Sequence, residues 1–331
     1  MKSIILILFL LFLLSFLLTA LYRYFALSKK VLDIPNERSS HDIPTPKGGG
    51  VAIVLTWYSG ITVFYFLNFI PENLYFALTS GIFLALISYI DDLIELNPVV
   101  RFIAQVCTAL LSLYFIGGVG PLYINDITII PSVILFPLAT IGIVWFINIF
   151  NFLDGIDGYA SLEASIISLV IFIFTKDPVC LVLLVCILGF IPWNWPKAKI
   201  FMGDVGSTQL GFILIVLGLY FRKESEFSIV HWMMLSSLFW FDATLTLYRR
   251  WRNNEKLSTA HKKHAYQRIV QSGFSHQKTI CLSLLINAII VGLIFVSFKY
   301  KSLLIPAFVI NILFLYAVSV LIDRRLPFHK E

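Results

Sequence analysis

Five groups of polar residues interrupt an otherwise apolar chain, and their types and spacing could do chemistry. Asp91-Asp92 sets two carboxylates side by side at the end of an apolar run. Such acids repel, and near hydrocarbon they are costly unless a cation or a partner offsets them. In Asn148-Ile-Phe-Asn151-Phe-Leu-Asp154-Gly-Ile-Asp157-Gly158 the two acids stand three apart and share a face if the helix continues. Asn148 and Asn151 extend that face one turn back, and Gly155 and Gly158 permit a break or a close backbone approach. The stretch Asn194 to Ser207 holds Lys197, Lys199 and Phe201 and brackets Asp204 between glycines. The stretch Asp33 to Gly50 carries Arg38, and Lys47 before three glycines; it resembles a phosphate cradle but lacks the P-loop pattern. His261-Lys-Lys-His264-Ala-Tyr266-Gln267-Arg268 has no third soft ligand nearby for zinc, so its histidines suit phosphate or sugar contacts better. Asp242 is an acid inside an apolar run, which calls for a basic partner or a part in shaping the site.

Asp91, Asp92, Asp154, Asp157 and Asp204 offer oxygen only, without clustered thiols, and so favour a hard cation such as Mg²⁺ or Mn²⁺. Mg²⁺ takes one or two carboxylates, and substrate phosphates complete its shell. Lys47, Arg38, Lys199, His261 and His264 then suit a diphosphate. A cation bridging a diphosphate neutralises charge that develops as a phosphoanhydride breaks. At a bilayer surface one substrate can be a lipid and the other soluble. The residues alone suggest metal-dependent phosphoryl chemistry between a nucleotide diphosphate and a lipid.

The elements that must position these groups are membrane helices. Hydrophobic residues make up 59% of the 331 and charged ones only 13%, too few to cover a soluble surface of this size. The same figures exclude a disordered, collagenous or disulfide-framed chain. The four cysteines lie in apolar runs without Cys-x-x-Cys spacing and read as small hydrophobes. A net charge of +6 points to anionic lipid head groups and a phosphorylated substrate rather than to nucleic acid. Runs long enough to cross a bilayer fall at 3–25, 51–70, 74–90, 99–117, 131–150, 159–175, 179–195, 208–221, 230–248, 279–298 and 303–321. The expected fold is therefore all-α, a polytopic membrane protein of about 11 transmembrane helices. The first run is over-long for a signal peptide and is expected to stay as helix one. Loops after odd-numbered spans, with the C-terminal tail and Arg23, hold 19 of the 25 Lys and Arg. This bias puts the N-terminus outside and the C-terminus in the cytoplasm. The five polar clusters follow spans one, three, five, seven and nine, so all face the cytoplasm and are expected to form one site. One domain over 1–331 results, with active-site loops at 26–50, 91–98, 151–158, 196–207 and 249–278.

The order and content of these motifs resemble the MraY/WecA-like polyprenyl-phosphate N-acetylhexosamine-1-phosphate transferase family. The residues that carry the resemblance are Pro44-Thr-Pro-Lys47-Gly-Gly-Gly50, Asp91-Asp92, Asn151-Phe-Leu-Asp154-Gly-Ile-Asp157-Gly, Asn194 through Ser207, the histidine loop, and Phe241-Asp242 followed by Arg249-Arg250. The resemblance implies transfer of N-acetylhexosamine-1-phosphate from a UDP-sugar to undecaprenyl phosphate, giving a lipid diphospho-sugar and UMP, in a bacterial inner membrane. It implies Mg²⁺ on Asp204, with Asp154, Asp157 and Asn151 near metal-bound phosphate or the nucleotide. Asp91 and Asp92 would lie by the metal and the lipid phosphate, one of them as base. Lys47 would meet phosphate, Asn194 and Phe201 would hold the uridine, and His261 and His264 would sit over the diphosphate or sugar. The spacing His261-Lys-Lys-His264 looks closest to members that initiate O-antigen and other cell-surface polysaccharides with deoxy-amino sugars. A homodimer stays open.

Two rivals share some of these features. A transporter would place its acids near the bilayer midplane, between halves that resemble each other. A CDP-alcohol phosphatidyltransferase would carry Asp-Gly-x-x-Ala-Arg, whereas Asp154-Gly-Ile-Asp-Gly-Tyr lacks the arginine.

Overall fold

The computed structural model describes residues 2–35, 43–94, 96–120, 122–124, 127–257, 259 and 261–328. Arg38, from the first polar cluster, lies outside the described residues. The helices in chain order are α1 (Lys2–Ser28), α2 (Gly50–Phe66), α3 (Glu72–Thr79), α4 (Gly81–Ile94), α5 (Pro98–Phe115), α6 (Ser132–Phe152) and α7 (Tyr159–Thr175). They continue as α8 (Pro178–Asn194), α9 (Asp204–Glu224), α10 (Ile229–Leu235), α11 (Ser237–Arg252), α12 (Ala265–Gln271), α13 (His276–Lys299) and α14 (Leu304–Arg325). Two short hairpins and a 3₁₀ turn at Lys301–Leu303 complete the described elements; the hairpins are β1 (Leu32–Asp33) with β2 (Thr45–Pro46), and β3 (Leu122–Ile124) with β4 (Ile127–Ile130), both antiparallel.

Among the described residues seven helical segments are long and apolar enough to cross a membrane, and α2, α7 and α8 are shorter apolar helices. The protein is a multi-pass membrane protein. Lipid-facing runs show it directly: α1 exposes Ile5, Leu6, Phe9, Leu17 and Leu21 at its surface. The expected run 230–248 is not one helix but breaks at Ser236 into α10 and α11. Serine there competes with the helix ladder: Ser236 Oγ donates to the Trp232 carbonyl at 2.9 Å, and Ser237 Oγ accepts from Asn311 Nδ2 at 2.9 Å.

α9 is the axis of the bundle. Every residue from Val205 to Phe221 is buried, against α6, α4, α2 and α7. Enclosure by protein rather than lipid explains why its first turns tolerate polar residues. Gln209 Nε2 donates to the Gly81 carbonyl at 2.7 Å and its Oε1 accepts from Tyr58 Oη at 2.8 Å, while Ser88 and Thr208 share a hydrogen bond of 2.9 Å. In such an interior each pairing removes a desolvation cost.

Candidate active site

The site forms where helix ends meet at one end of the bundle, and α9 starts inside it. The backbone N–H groups of Asp204 and Val205 have no intrahelical acceptor. Both donate to the Asp92 carboxylate, at 3.1 Å each. Asp92 thus caps α9 and draws stabilisation from the positive end of its dipole. Gly203, at φ +77°, makes the turn into the helix, and a Cβ there would stand 2.8 Å from Asp92 Oδ2 and 2.9 Å from the Gly48 backbone. Only glycine fits. The loop before α2 zips onto the loop before α9. Phe201 N donates to the Pro46 carbonyl (2.8 Å), Gly49 N to Phe201 (2.9 Å) and Gly50 N to Met202 (2.8 Å). This pairing brings Lys47 into the same cleft as Asp92 and Asp204.

The acid loop after α6 is held from three sides. Asn151 Nδ2 donates to Asp204 Oδ1 and to Ser207 Oγ, both at 3.0 Å. Asp157 Oδ2 accepts from Ala198 N at 3.1 Å and faces His276 Nδ1, the first residue of α13, at 3.2 Å. Asn194 is 2% exposed; its Oδ1 accepts from Gly158 N and Ser161 Oγ, and its Nδ2 donates to the Ile200 carbonyl. Most of its hydrogen-bonding capacity therefore knits the two loops together, at the edge of the cleft it lines. Asp154 stands apart: its backbone N donates to the Asn151 carbonyl at 3.3 Å, but among the described residues its carboxylate makes no hydrogen bond or ion pair. Loss of hydration, with Asp204, Asp92 and Asp157 around it, pushes its pKa up to about 7.

That raised value has a consequence for stability. A carboxyl that ionises at about 4 unfolded and at about 7 folded binds more protons when folded between those values, so stability falls as pH rises through the window. Asp154→Asn is expected to raise the melting temperature of chelator-treated, detergent-solubilised protein by a few degrees at pH 8. The gain should shrink as the pH is lowered towards about 4. A difference that does not vary with pH would contradict this reading.

The histidine loop closes the other side. Asp242 accepts from Ala265 N with both oxygens, at 2.9 and 3.0 Å, and so caps α12; Thr246 Oγ1 donates to it at 3.1 Å, and the basic side chain beside it is His264, whose Nδ1 lies 3.8 Å from Oδ1. Tyr266 Oη donates to the Phe152 carbonyl at 3.3 Å, and its ring stacks on Tyr159. The buried Arg250 gathers the preceding loop through Glu255 and the carbonyls of Lys256, Leu257 and Thr259. The His261 and His264 rings lie 4.8 Å apart. Burial, with His264 and Arg250 beside it, pushes His261 down to about 4, so it is neutral at pH 7.

Two cavities result. A polar cleft of about 340 Å³ is lined by Lys47, Asp92, Asn151, Asp154, Asp157, Asn194, Phe201 and Asp204. A groove of about 580 Å³ holds Asp91, Arg101, His261 and His264 beside apolar Leu84, Ile87, Phe102 and Leu247. Asn151, Asp204 and Gln267 line both, forming the wall between them. Adjacent in sequence, Asp91 and Asp92 serve different cavities. Asp91 accepts from Leu96 N at 2.6 Å and pairs with Arg101 at 2.9 Å. Arg101 also stands 3.7 Å from Asp204 Oδ2. Arg101 and His276 did not stand out in the sequence, where each reads as an ordinary residue at a helix start. Lys199 is drawn off instead, its ammonium lying over the Trp193 ring.

Residues 74–222 match the model of glycosyl transferase family 4. Over that segment the chain is similar to this family. It is 29% identical over 319 residues to a probable undecaprenyl-phosphate N-acetylglucosaminyl 1-phosphate transferase of Bacillus subtilis, covering 91% of this chain and 86% of the relative. It is 28% identical over 328 residues to the undecaprenyl-phosphate alpha-N-acetylglucosaminyl 1-phosphate transferase of Escherichia coli K12, again covering 91% and 86%. A decaprenyl-phosphate N-acetylglucosaminephosphotransferase of Mycolicibacterium smegmatis is 28% identical over 314 residues, with 81% of this chain and 75% of the relative covered. The matched segment runs from α3 to the last turn of α9, and so includes the paired acids, the acid loop and the turn into α9.

Proposed function

We propose that this protein is a member of glycosyl transferase family 4 that transfers N-acetylhexosamine-1-phosphate from a UDP-sugar to a polyprenyl phosphate, releasing UMP. The observation that carries the reading is the wall of Asn151 and Asp204 between a polar cleft and a partly apolar groove. A cleft of about 340 Å³ is within the range of small-molecule sites. The groove suits a lipid. One face of α6 carries Asn148 and Phe152 in it and continues through Trp145, Gly142, Leu138 and Leu135 into an apolar cavity of about 420 Å³. The names of the relatives, with undecaprenyl or decaprenyl phosphate and N-acetylglucosamine, support both substrates.

In this reading the diphosphate enters the cleft between Lys47 and the start of α9, and the lipid phosphate enters the groove beside Arg101. An oxygen of the lipid phosphate bonds to the β-phosphorus, the bond from that phosphorus to the bridging oxygen breaks, and UMP leaves with that oxygen. A phosphate monoester has its second pKa near 6 and is largely ionised at pH 7, so orientation matters more than a base. Neutral His261 and buried His264 then serve as hydrogen-bonding walls of the groove. Asp204 and Asp154 would hold Mg²⁺. Among the described residues no three acidic, histidine or cysteine side chains enclose a metal by themselves. That fits an ion which takes one or two carboxylates and completes its shell with phosphate oxygens. When bound, it would neutralise the charge that develops on the departing UMP. The Asp154 carboxylate, crowded by other acids, also fits a role as a cation ligand. The Lys and Arg bias supports a cytoplasmic site in a bacterial inner membrane, with the N-terminus outside.

The test is UMP release by purified protein given undecaprenyl phosphate, Mg²⁺ and a panel of UDP-sugars. UDP-N-acetylglucosamine comes first, with the N-acetylfucosamine and N-acetylquinovosamine analogues beside it. Release should require both substrates. Arg101→Ala should raise the KM for polyprenyl phosphate by about tenfold and leave that for the UDP-sugar near wild type. Silence across the panel with folded protein would overturn the proposal and favour a transporter.

A further inference from the structure

Away from both cavities, α7 and α13 meet at a polar pair buried inside the bundle. Glu163 and Asn287 are each 2% exposed, and Asn287 Nδ2 donates to Glu163 Oε2 at 2.6 Å. Two acceptors are left over. Glu163 Oε1 and Asn287 Oδ1 are both buried, and neither has a hydrogen-bond partner. Among the described residues no cation compensates Glu163, and the titratable group that would feel its charge is the Tyr159 hydroxyl one turn earlier on α7. An ionised carboxylate stripped of water and holding one neutral hydrogen bond is strongly disfavoured. A carboxylic acid removes both difficulties at once, because Oε1–H becomes the donor that Asn287 Oδ1 lacks.

We infer that Glu163 is a neutral carboxylic acid exchanging two hydrogen bonds with the Asn287 amide, and that the pair is a clamp setting α13 against α7. Neither residue lines the cleft or the groove, so both are positioning residues. The route to the site runs along the two helices. α7 begins directly after the acid loop, and α13 begins at His276, which faces Asp157 at 3.2 Å. Asp157 in turn accepts from Ala198 N at 3.1 Å, in the loop that leads to Phe201 and Asp204. A shift of α13 along α7 would pull His276 from Asp157 and loosen that loop.

The experiment uses the full-length protein in detergent with Glu163→Gln, Glu163→Leu and Asn287→Leu. In the infrared difference between wild type and Glu163→Gln at pH 8, a protonated-carboxyl carbonyl band should be present in wild type and absent from the variant. Its absence in wild type overturns the proposal. Glutamine can give and accept the same two hydrogen bonds, so Glu163→Gln should keep the wild-type melting temperature and UMP release within about twofold. Glu163→Leu and Asn287→Leu should each lower kcat at least about tenfold with KM little changed, and the double variant should be no worse than either. A glutamine variant as damaged as the leucine one, or a leucine variant as active as wild type, overturns the clamp. The activity measurements rest on the transferase reading. If wild type releases no UMP, that reading fails, and the infrared band and the melting temperatures still decide the clamp.

Discussion

Asp204→Asn is expected to cut UMP release by about a thousandfold or more while the protein stays folded. Asp204 is the first residue of α9 and lines both cavities, so one carboxylate faces both proposed substrate sites. Its Oδ1 is engaged by Asn151 and its Oδ2 stands 3.7 Å from Arg101, leaving charge available for a cation. Asparagine keeps the shape and the acceptor for Asn151 but removes that charge. The structural cost should be small. A negative side chain in the first turn of a helix stabilises by about 0.3–1 kcal/mol, and losing it also relieves repulsion from Asp92 and Asp154. Asp91→Asn should do less harm to turnover, because the Asp91 carboxylate already serves Leu96 N and Arg101. Single-turnover UMP release with saturating Mg²⁺ and a melting curve for each variant separate these effects. Normal turnover in folded Asp204→Asn would remove the proposed metal ligand, and the mechanism with it.

The part of the site that could be read from sequence is the part that breaks a strong pattern. A carboxylate at the end of an apolar helix stands out because hydrocarbon penalises it, and Asp91, Asp92, Asp154, Asp157 and Asp204 were all visible for that reason. Arg101 and His276 broke no pattern: a basic residue one turn into a helix and a histidine at a helix start are ordinary. Their meaning comes only from the acids they face. Asp92 shows the limit from the other side. Its chemistry was apparent, but its bonding to two backbone N–H groups of a helix more than a hundred residues away is a fact of packing. The break at Ser236 was hidden because hydropathy averages over a window and serine does not lower it enough. Glu163 did carry a signal that went unused, a lone acid inside the apolar run 159–175. Its partner Asn287 lies in another apolar run, and nothing in the sequence joins the two.

Gly50→Ala is expected to lower turnover by at least about a hundredfold without touching a charge or a substrate contact, through the crossing of α2 and α9. A Cβ at Gly50 would come 2.3 Å from Gly206 Cα, 2.6 Å from Gly206 N and 3.0 Å from the Met202 carbonyl. All three are backbone atoms, so no side-chain rotation relieves the clash and the helices must part. The displaced segment is the first turn of α9, two residues beyond Asp204, together with the Gly50 N to Met202 hydrogen bond. A displacement of about an ångström there moves Asp204 relative to Asp154 and Asn151, and catalysis is sensitive to errors of that size. Gly206→Ala should be milder, since its nearest neighbour at 2.2 Å is Cγ of the flexible Met202 side chain, although Gly50 Cα lies at 2.8 Å. The control is Gly292→Ala in α13, where a Cβ meets nothing within 4 Å. There alanine should leave turnover unchanged and add up to about 1 kcal/mol of helix stability. The same substitution should therefore act with opposite sign at the two positions, and melting temperature with UMP release reads both. Equal behaviour of Gly50→Ala and Gly292→Ala would mean that close approach of α2 and α9 does not set the position of Asp204.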